Sequence, residues 1–284
     1  MATELRNIGA PDLPAVIRIL NESSAGYSFQ FRLDPMKYLL LSRFWNFSYE
    51  TSYLACAGPE PAGVVLNCVD PAGSEAYSFY WGVLPEFRKR RLSMELARKY
   101  LAEVKRQGLR TTYADSSADS PLDIYLKLGY REQHRLTHLR AGAISPAAPD
   151  EDAKIEKLEV AALLSELPLF PPAPRSWVSR RSFLQSAAPF LEVIGLRHGQ
   201  RLDAWIALTR WTGETTIIAL DFYEGAENSA RRLLSHLSSY PAPYAASHVV
   251  NGSRADRLLR SCGFVPNLEW ISIALDLQTY SPRR

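Results

Sequence analysis

The run Arg88-Lys89-Arg90-Arg91 gathers four positive charges in a single step of the chain. It lies between an apolar stretch ending in Val83-Leu84-Pro85 and an amphipathic stretch beginning at Leu92. A helix start exposes unpaired backbone N–H groups and the positive end of the helix dipole, so an anion placed there gains oriented donors and charge complementarity. Three readings of the tetrad compete: a solvated basic face, a nucleic-acid or nuclear-targeting patch, and an anion-binding turn. Its place between a strand-proline and a helix start favours the anion-binding turn, with Leu92 and Ser93 supplying the first helical amides. The net charge of +3 is small and its whole excess falls in residues 1–141, which points to a local anionic ligand and away from a nucleic-acid surface.

Other chemistry is thinner. Of five histidines only His134 and His138 stand close together, and no cysteine or acidic neighbour completes metal-ligand spacing, so no metal is expected. Cys56, Cys68 and Cys262 fall singly, without a CxxC pair, and read as reduced, buried thiols. No nucleophile-elbow, P-loop or dinucleotide-binding glycine pattern occurs. The amino terminus is charged at once and no long apolar run follows, so neither a signal peptide nor a membrane span is expected, and the cytoplasm is the expected compartment.

The elements that would position the basic turn occur twice. A helix-like segment (33–45) precedes strand-like runs at 51–57, 62–69 and 75–84; the second half offers 176–187, then 190–199, 201–211 and 214–223. Breakers recur between them, Pro71-Ala72-Gly73 in one half answered by Thr212-Gly213 in the other. Each third strand leads into an amphipathic stretch, 92–108 and 229–239, and then into a short helix closing on apolar-Gly-aromatic, 124–130 and 258–264. The fold class expected is α/β (α+β, mixed sheet) in two tandem units: 1–141, a linker at 142–153 rich in Ala, Pro and acidic residues, and 154–284.

The runs VLPEFRKRRLSMELARKYL and TTYADSSADSPLDIYLKLGY resemble the GNAT acetyltransferase family, and a tandem pair of such units is a known arrangement of it. The resemblance implies an N-acetyltransferase moving an acetyl or other acyl group from acyl-CoA, most simply acetyl-CoA, to an amine of a small molecule or peptide. It implies that Val83 and Leu84 pair with the pantetheine arm, and that Arg88, Lys89, Arg90, Arg91, Leu92 and Ser93 hold the pyrophosphate. The family's glycine falls on Arg91 and its Gly/Ala on Ser93. Tyr125, four residues before Gly129, corresponds to the tyrosine that protonates the leaving thiolate; read from the residues alone it is equally a core aromatic. The carboxylate that many members carry on the third strand is replaced here by Phe79-Tyr80-Trp81. Asp115 is then the candidate base, or a residue that only caps a turn. Tyr80, with its aromatic neighbours, suits an apolar or planar acceptor, and Tyr27 and Phe29, in the segment between the first two helices, are candidate acceptor contacts or core. Matching the helices equates Arg88, Arg91, Ser93 and Tyr125 with Gly225, Asn228, Ala230 and Leu259, so the second unit reads as a scaffold without the chemistry. The rival reading is a non-catalytic acyl-CoA-binding or partner-binding tandem module.

Overall fold

The computed structural model describes residues 3–70, 74–117, 119–149, 152–170, 173–210 and 213–281. The breakers Pro71-Ala72-Gly73 and Thr212 lie outside the described residues. The chain forms two compact units, residues 1–133 with 271–284, and residues 134–270.

The first unit runs β1 (Thr3–Asn7), α1 (Leu13–Ser23), α2 (Pro35–Phe44), β2 (Tyr53–Ala57), β3 (Glu60–Val69), β4 (Glu75–Val83), α3 (Leu92–Arg106), β5 (Thr111–Ser117) and α4 (Leu122–Lys127). The start of α2 is set by Asp34, whose carboxylate accepts the Lys37 N–H at 2.8 Å, and by Pro35 in the first turn. Helix α3 buries Leu92, Leu96, Tyr100, Leu101 and Val104 along one stripe and carries Lys105 and Arg106 in its last turn, where they complement the dipole. That stripe packs with Tyr53, Val65 and Ala114 of the sheet in one core cluster.

The second unit contains β6 (Arg131–Ala141) from His134 onward, β7 (Ala153–Leu158), α5 (Val160–Glu166), α6 (Arg181–Ser186), β8 (Glu192–His198), β9 (Arg201–Thr209), β10 (Thr215–Phe222), α7 (Glu227–His236), β11 (Tyr244–Val250) and α8 (Arg254–Ser261). The last strand, β12 (Val265–Asp276), belongs to the first unit from Ile271 onward. Strand order is β1-β2-β3-β4-β5-β12 in the first unit and β6-β11-β10-β9-β8-β7 in the second.

The sequence placed a boundary at 142–153, after a complete first unit. In the structure each unit takes its final strand from the other half of the sequence. Ile273, Leu275 and Leu277 are buried in the first unit's core beside Tyr100 and Leu109, and the Leu277 N–H donates to Arg110 O at 2.8 Å. Leu139 and Ala141 are buried in the second unit's core. The intended linker is packed as well: Ile144 is buried, and the Ser145 and Ala147 amides donate to Cys262 O (3.1 Å) and Ser235 Oγ (3.2 Å). Local pattern fixed the elements, but it carries no record of which edge a terminal strand joins.

Among the described residues no helix is long and apolar enough to cross a membrane, and no three His, Cys, Asp or Glu side chains gather as a metal site requires. Cys56, Cys68 and Cys262 are free and buried.

Candidate functional site

Strand β4 runs parallel to β5 only from Glu75–Thr111 to Ser78–Ala114, after which both continue unpaired with each other. The cause lies on the other side of β4. Its register against β3 slips so that Asn67 faces Ser78 and Leu66 faces Tyr80, leaving Phe79 as an extra residue. Such a bulge raises the local twist and turns the strand away from its partner. It also holds Phe79 and Tyr80, adjacent in sequence, toward a common neighbour: both rings meet Phe31, at 5.9 and 5.1 Å. Trp81 then points to the α3 side, where its Nε1–H donates to Ser78 Oγ, which in turn donates to Asn67 Oδ1 at 2.9 Å.

The gap exposes backbone selectively. Leu84, expected to offer free groups, donates its N–H to Ala62 O (2.9 Å) and accepts the Phe87 N–H (3.0 Å), so both of its backbone groups are committed. Successive residues of a strand point their amides to opposite edges, and the Val83 N–H therefore faces the gap. The Val83 carbonyl accepts from Arg88 Nε at 3.3 Å.

The basic turn that follows is shaped by two left-handed residues, Lys89 (φ 64°) and Arg91 (φ 63°), the latter capping α3. Left-handed backbone costs a non-glycine residue about 1–2 kcal/mol, so Arg91 adopts by strain the conformation that glycine reaches freely. Among the described residues no acceptor within hydrogen-bond distance meets the amides of Lys89, Arg91, Leu92 and Ser93 at the helix start. The side chains divide the work differently from the sequence expectation. Lys89 and Arg91 are exposed, and Arg90 lies over the Phe87 ring at 5.1 Å. Arg88, exposed like them, donates from Nη2 to Ser23 O at 2.9 Å and lies over the Tyr27 ring at 5.9 Å. It ties the end of α1 to the end of β4.

Tyr125, on α4, stacks on Trp81 (4.5 Å, 23°) and meets Tyr130 edge-on (5.5 Å, 87°). Burial pushes its phenol well above the ordinary tyrosine range, with Tyr80, Asp115 and Tyr27 adding in the same direction. The phenol stays protonated, and Tyr80, Asp115 and Tyr27 each lie within electrostatic reach of Tyr125. Asp115 Oδ2 accepts the Tyr77 hydroxyl at 3.0 Å. Tyr80 shares a 2.9 Å hydrogen bond with Ser23 Oγ, and burial pushes its phenol up to about 12. Phe29 is 38% exposed and stands edge-on to Phe31 at 5.0 Å.

Three contributors escaped the sequence. Asp119 Oδ2 accepts the Ser28 N–H at 2.5 Å and pins the segment carrying Tyr27 and Phe29. Ser23 receives both Tyr80 and, through its carbonyl, Arg88. Gly82 allows that approach, because a Cβ there would stand 2.4 Å from Tyr80 Cε1 and 2.5 Å from Ser23 Oγ. A glycine inside an aromatic strand run was the legible signal of such close contact; Ser23 and Asp119 left none.

The second unit repeats the frame. Parallel pairing of β10 with β11 ends at Ile217–Ala246, beside a slip against β9 that leaves Ile218 extra. The Tyr223 N–H donates to Asp203 O as Leu84 does to Ala62. Only residues 223–226 join β10 to α7, against 84–91 in the first unit, so α7 begins at Glu227 where α3 begins at Leu92. The helix-by-helix matching of Arg88, Arg91 and Ser93 to Gly225, Asn228 and Ala230 is thereby corrected: the turn is deleted, not substituted. Tyr125 and Leu259 do correspond, each four residues before a glycine with positive φ (Gly129, 95°; Gly263, 101°). At the register of Gly82 stands Asp221, buried, accepting from Arg175 Nη2 at 2.9 Å and Arg254 Nε at 3.1 Å.

A bulged, splayed parallel strand pair leads through the basic turn into α3, within an α/β fold on a mixed sheet. No protein-family model and no curated protein matches the chain. Solved structures do. The chain aligns over 97% of its length with 96% of a GCN5-related N-acetyltransferase from Sphaerobacter thermophilus, at TM-score 0.69 and 14% identity. It aligns over its full length with all of a tandem GNAT protein from the clavulanic acid biosynthesis pathway (TM-score 0.70, 11% identity). A putative acetyltransferase from Pyrococcus horikoshii is matched at TM-score 0.68 and 13% identity, over 96% of this chain and 89% of that one. The fold is the tandem GNAT fold.

Proposed function

We propose that the chain is an acyl-CoA-dependent N-acyltransferase, with acetyl-CoA the simplest donor and an amine of a small molecule or peptide the acceptor, and that the first unit alone carries the site. The supporting observation is the left-handed geometry of Lys89 and Arg91, which leaves a row of unpaired amides at the start of α3 directly after the β4–β5 gap. Bound acyl-CoA would supply an activated thioester. The amides from Lys89 to Ser93, with the exposed Lys89 and Arg91 side chains, hold the pyrophosphate, and the Val83 N–H holds the pantetheine arm. Leu84 contributes an apolar wall only, and Arg88 positions Tyr27 and the end of α1. Tyr125 donates its proton to the departing thiolate, a task suited to a phenol held neutral by burial. Asp115 takes the proton of the acceptor ammonium.

Melting the full chain with and without acetyl-CoA, followed by assay of free thiol release with amines, tests the reading. Ligand at about a hundredfold its Kd stabilises by about 2.7 kcal/mol, a shift of several degrees. A shift with thiol release supports transfer; a shift without release with any amine supports the rival, a binding module; no shift removes the CoA site.

A further inference from the structure

The side of the first unit's sheet that faces α1 and α2 is aromatic where an acceptor would enter. Phe79 lies 4.8 Å from Trp45 and 4.9 Å from Phe47, ring centre to ring centre, and Phe31 bridges Phe79 to Tyr80. Phe79 and Tyr80 remain half-buried and Phe29 exposed, so apolar ring surface is left toward solvent beside the gap. The segment carrying these rings is fixed at three points: the Phe31 N–H on Ser24 Oγ (2.9 Å), the Ser28 N–H on Asp119 Oδ2 (2.5 Å) and the Leu33 N–H on Asn21 Oδ1 (2.8 Å). A surface held in this way binds without first being ordered.

Charge decides what kind of amine fits. A polyamine or an aminosugar brings several ammonium groups, each of which needs an anionic or strongly accepting partner once water is removed. Residues 24–33 contain no acidic side chain and one basic one, Arg32. Among the carboxylates on this side, Asp119 uses Oδ2 on the Ser28 amide, Asp115 uses Oδ2 on the Tyr77 hydroxyl and Glu75 uses Oε1 on the Tyr113 hydroxyl. The surroundings suit one positive charge on a flat apolar body, and aromatic rings of this arrangement attract another ring edge-on or offset.

We propose that the acceptor is a primary monoamine carried on an aromatic body, of the arylalkylamine class; this rests on the acyltransferase reading above. In the transfer, the ammonium gives one proton to Asp115 and the freed lone pair attacks the thioester carbonyl. The C–N bond forms and the C–S bond breaks, Tyr125 protonates the thiolate, and the proton shed by the new amide nitrogen restores the phenol. The Asp115 proton passes to water.

The test uses the full chain and four acceptors: 2-phenylethylamine, tryptamine, spermidine and kanamycin. With acetyl-CoA saturating, kcat/KM from thiol release is expected to be about tenfold or more higher for the two aromatic amines. Without acetyl-CoA, 2-phenylethylamine is expected to raise the melting temperature and spermidine to leave it unchanged. Phe29→Ala, at a position 38% exposed and with its fold checked by its melting temperature, is expected to raise KM for 2-phenylethylamine about three- to tenfold with kcat nearly constant. Faster turnover of spermidine or kanamycin, or an unmoved KM in Phe29→Ala, overturns the acceptor class and leaves the transferase reading standing. Acetyl-CoA stabilisation with no thiol release from any of the four overturns both.

Discussion

Both units bend a parallel strand pair apart beside a one-residue bulge, at Phe79 in the first and Ile218 in the second, but they end that gap in opposite ways. The first follows it with the long turn 84–91, whose strained backbone leaves amides and cations open, and with Gly82, which lets α1 approach. The second follows it with the short turn 223–226, begins its helix on Glu227, and fills the Gly82 register with Asp221 clamped by two arginines. The frame is thus common to both units, which differ by four residues in the turn and by one side chain at the Gly82 register.

The largest expected effect comes from ending the chain at Trp270. The second unit would keep its residues, but the first would lose Ile273, Leu275 and Leu277 from its core. Removing a buried Leu or Ile side chain costs about 2–5 kcal/mol, and three such losses match a typical domain stability of about 5–15 kcal/mol. The acetyl-CoA melting shift should vanish while limited proteolysis still finds a protected second unit; a retained shift would mean that the exchanged strand is dispensable. Next, Tyr125→Phe should lower kcat by about a hundredfold or more and leave the acetyl-CoA shift in place. Unchanged turnover would remove the asymmetry in chemistry between Tyr125 and Leu259.

Asp221→Ala addresses the other side of the comparison. Its side chain is 7% exposed and its partners Arg175 and Arg254 26% and 20%, so the substitution strands two partly buried cations. A cost of about 2–3 kcal/mol, below that of a fully buried pair, should appear as a lower melting temperature with the acetyl-CoA shift preserved; a lost shift would make the second unit part of the binding event. Arg91→Gly should have the smallest effect. Relief of left-handed strain, about 1 kcal/mol, is largely offset by the greater unfolded-state freedom of glycine, so stability should stay within about 1 kcal/mol. A large loss of acetyl-CoA stabilisation would show that the Arg91 charge, and not the turn's backbone, carries the binding.

By itself the sequence determined the elements and their duplication, because hydrophobic period, proline and glycine act over a few residues. It also determined that a basic turn directly precedes a helix start, since the two are adjacent in the chain, and that Tyr125 and Leu259 sit at matching distances from Gly129 and Gly263. Tertiary structure alone decided the rest. That Arg88 reaches Ser23, that Asp119 pins Ser28, and that the final strands are exchanged between halves all depend on residues far apart in sequence meeting in space. Local physics specifies which strands exist; only the burial of Ile273, Leu275 and Leu277 against α3 specifies which sheet edge the last one completes.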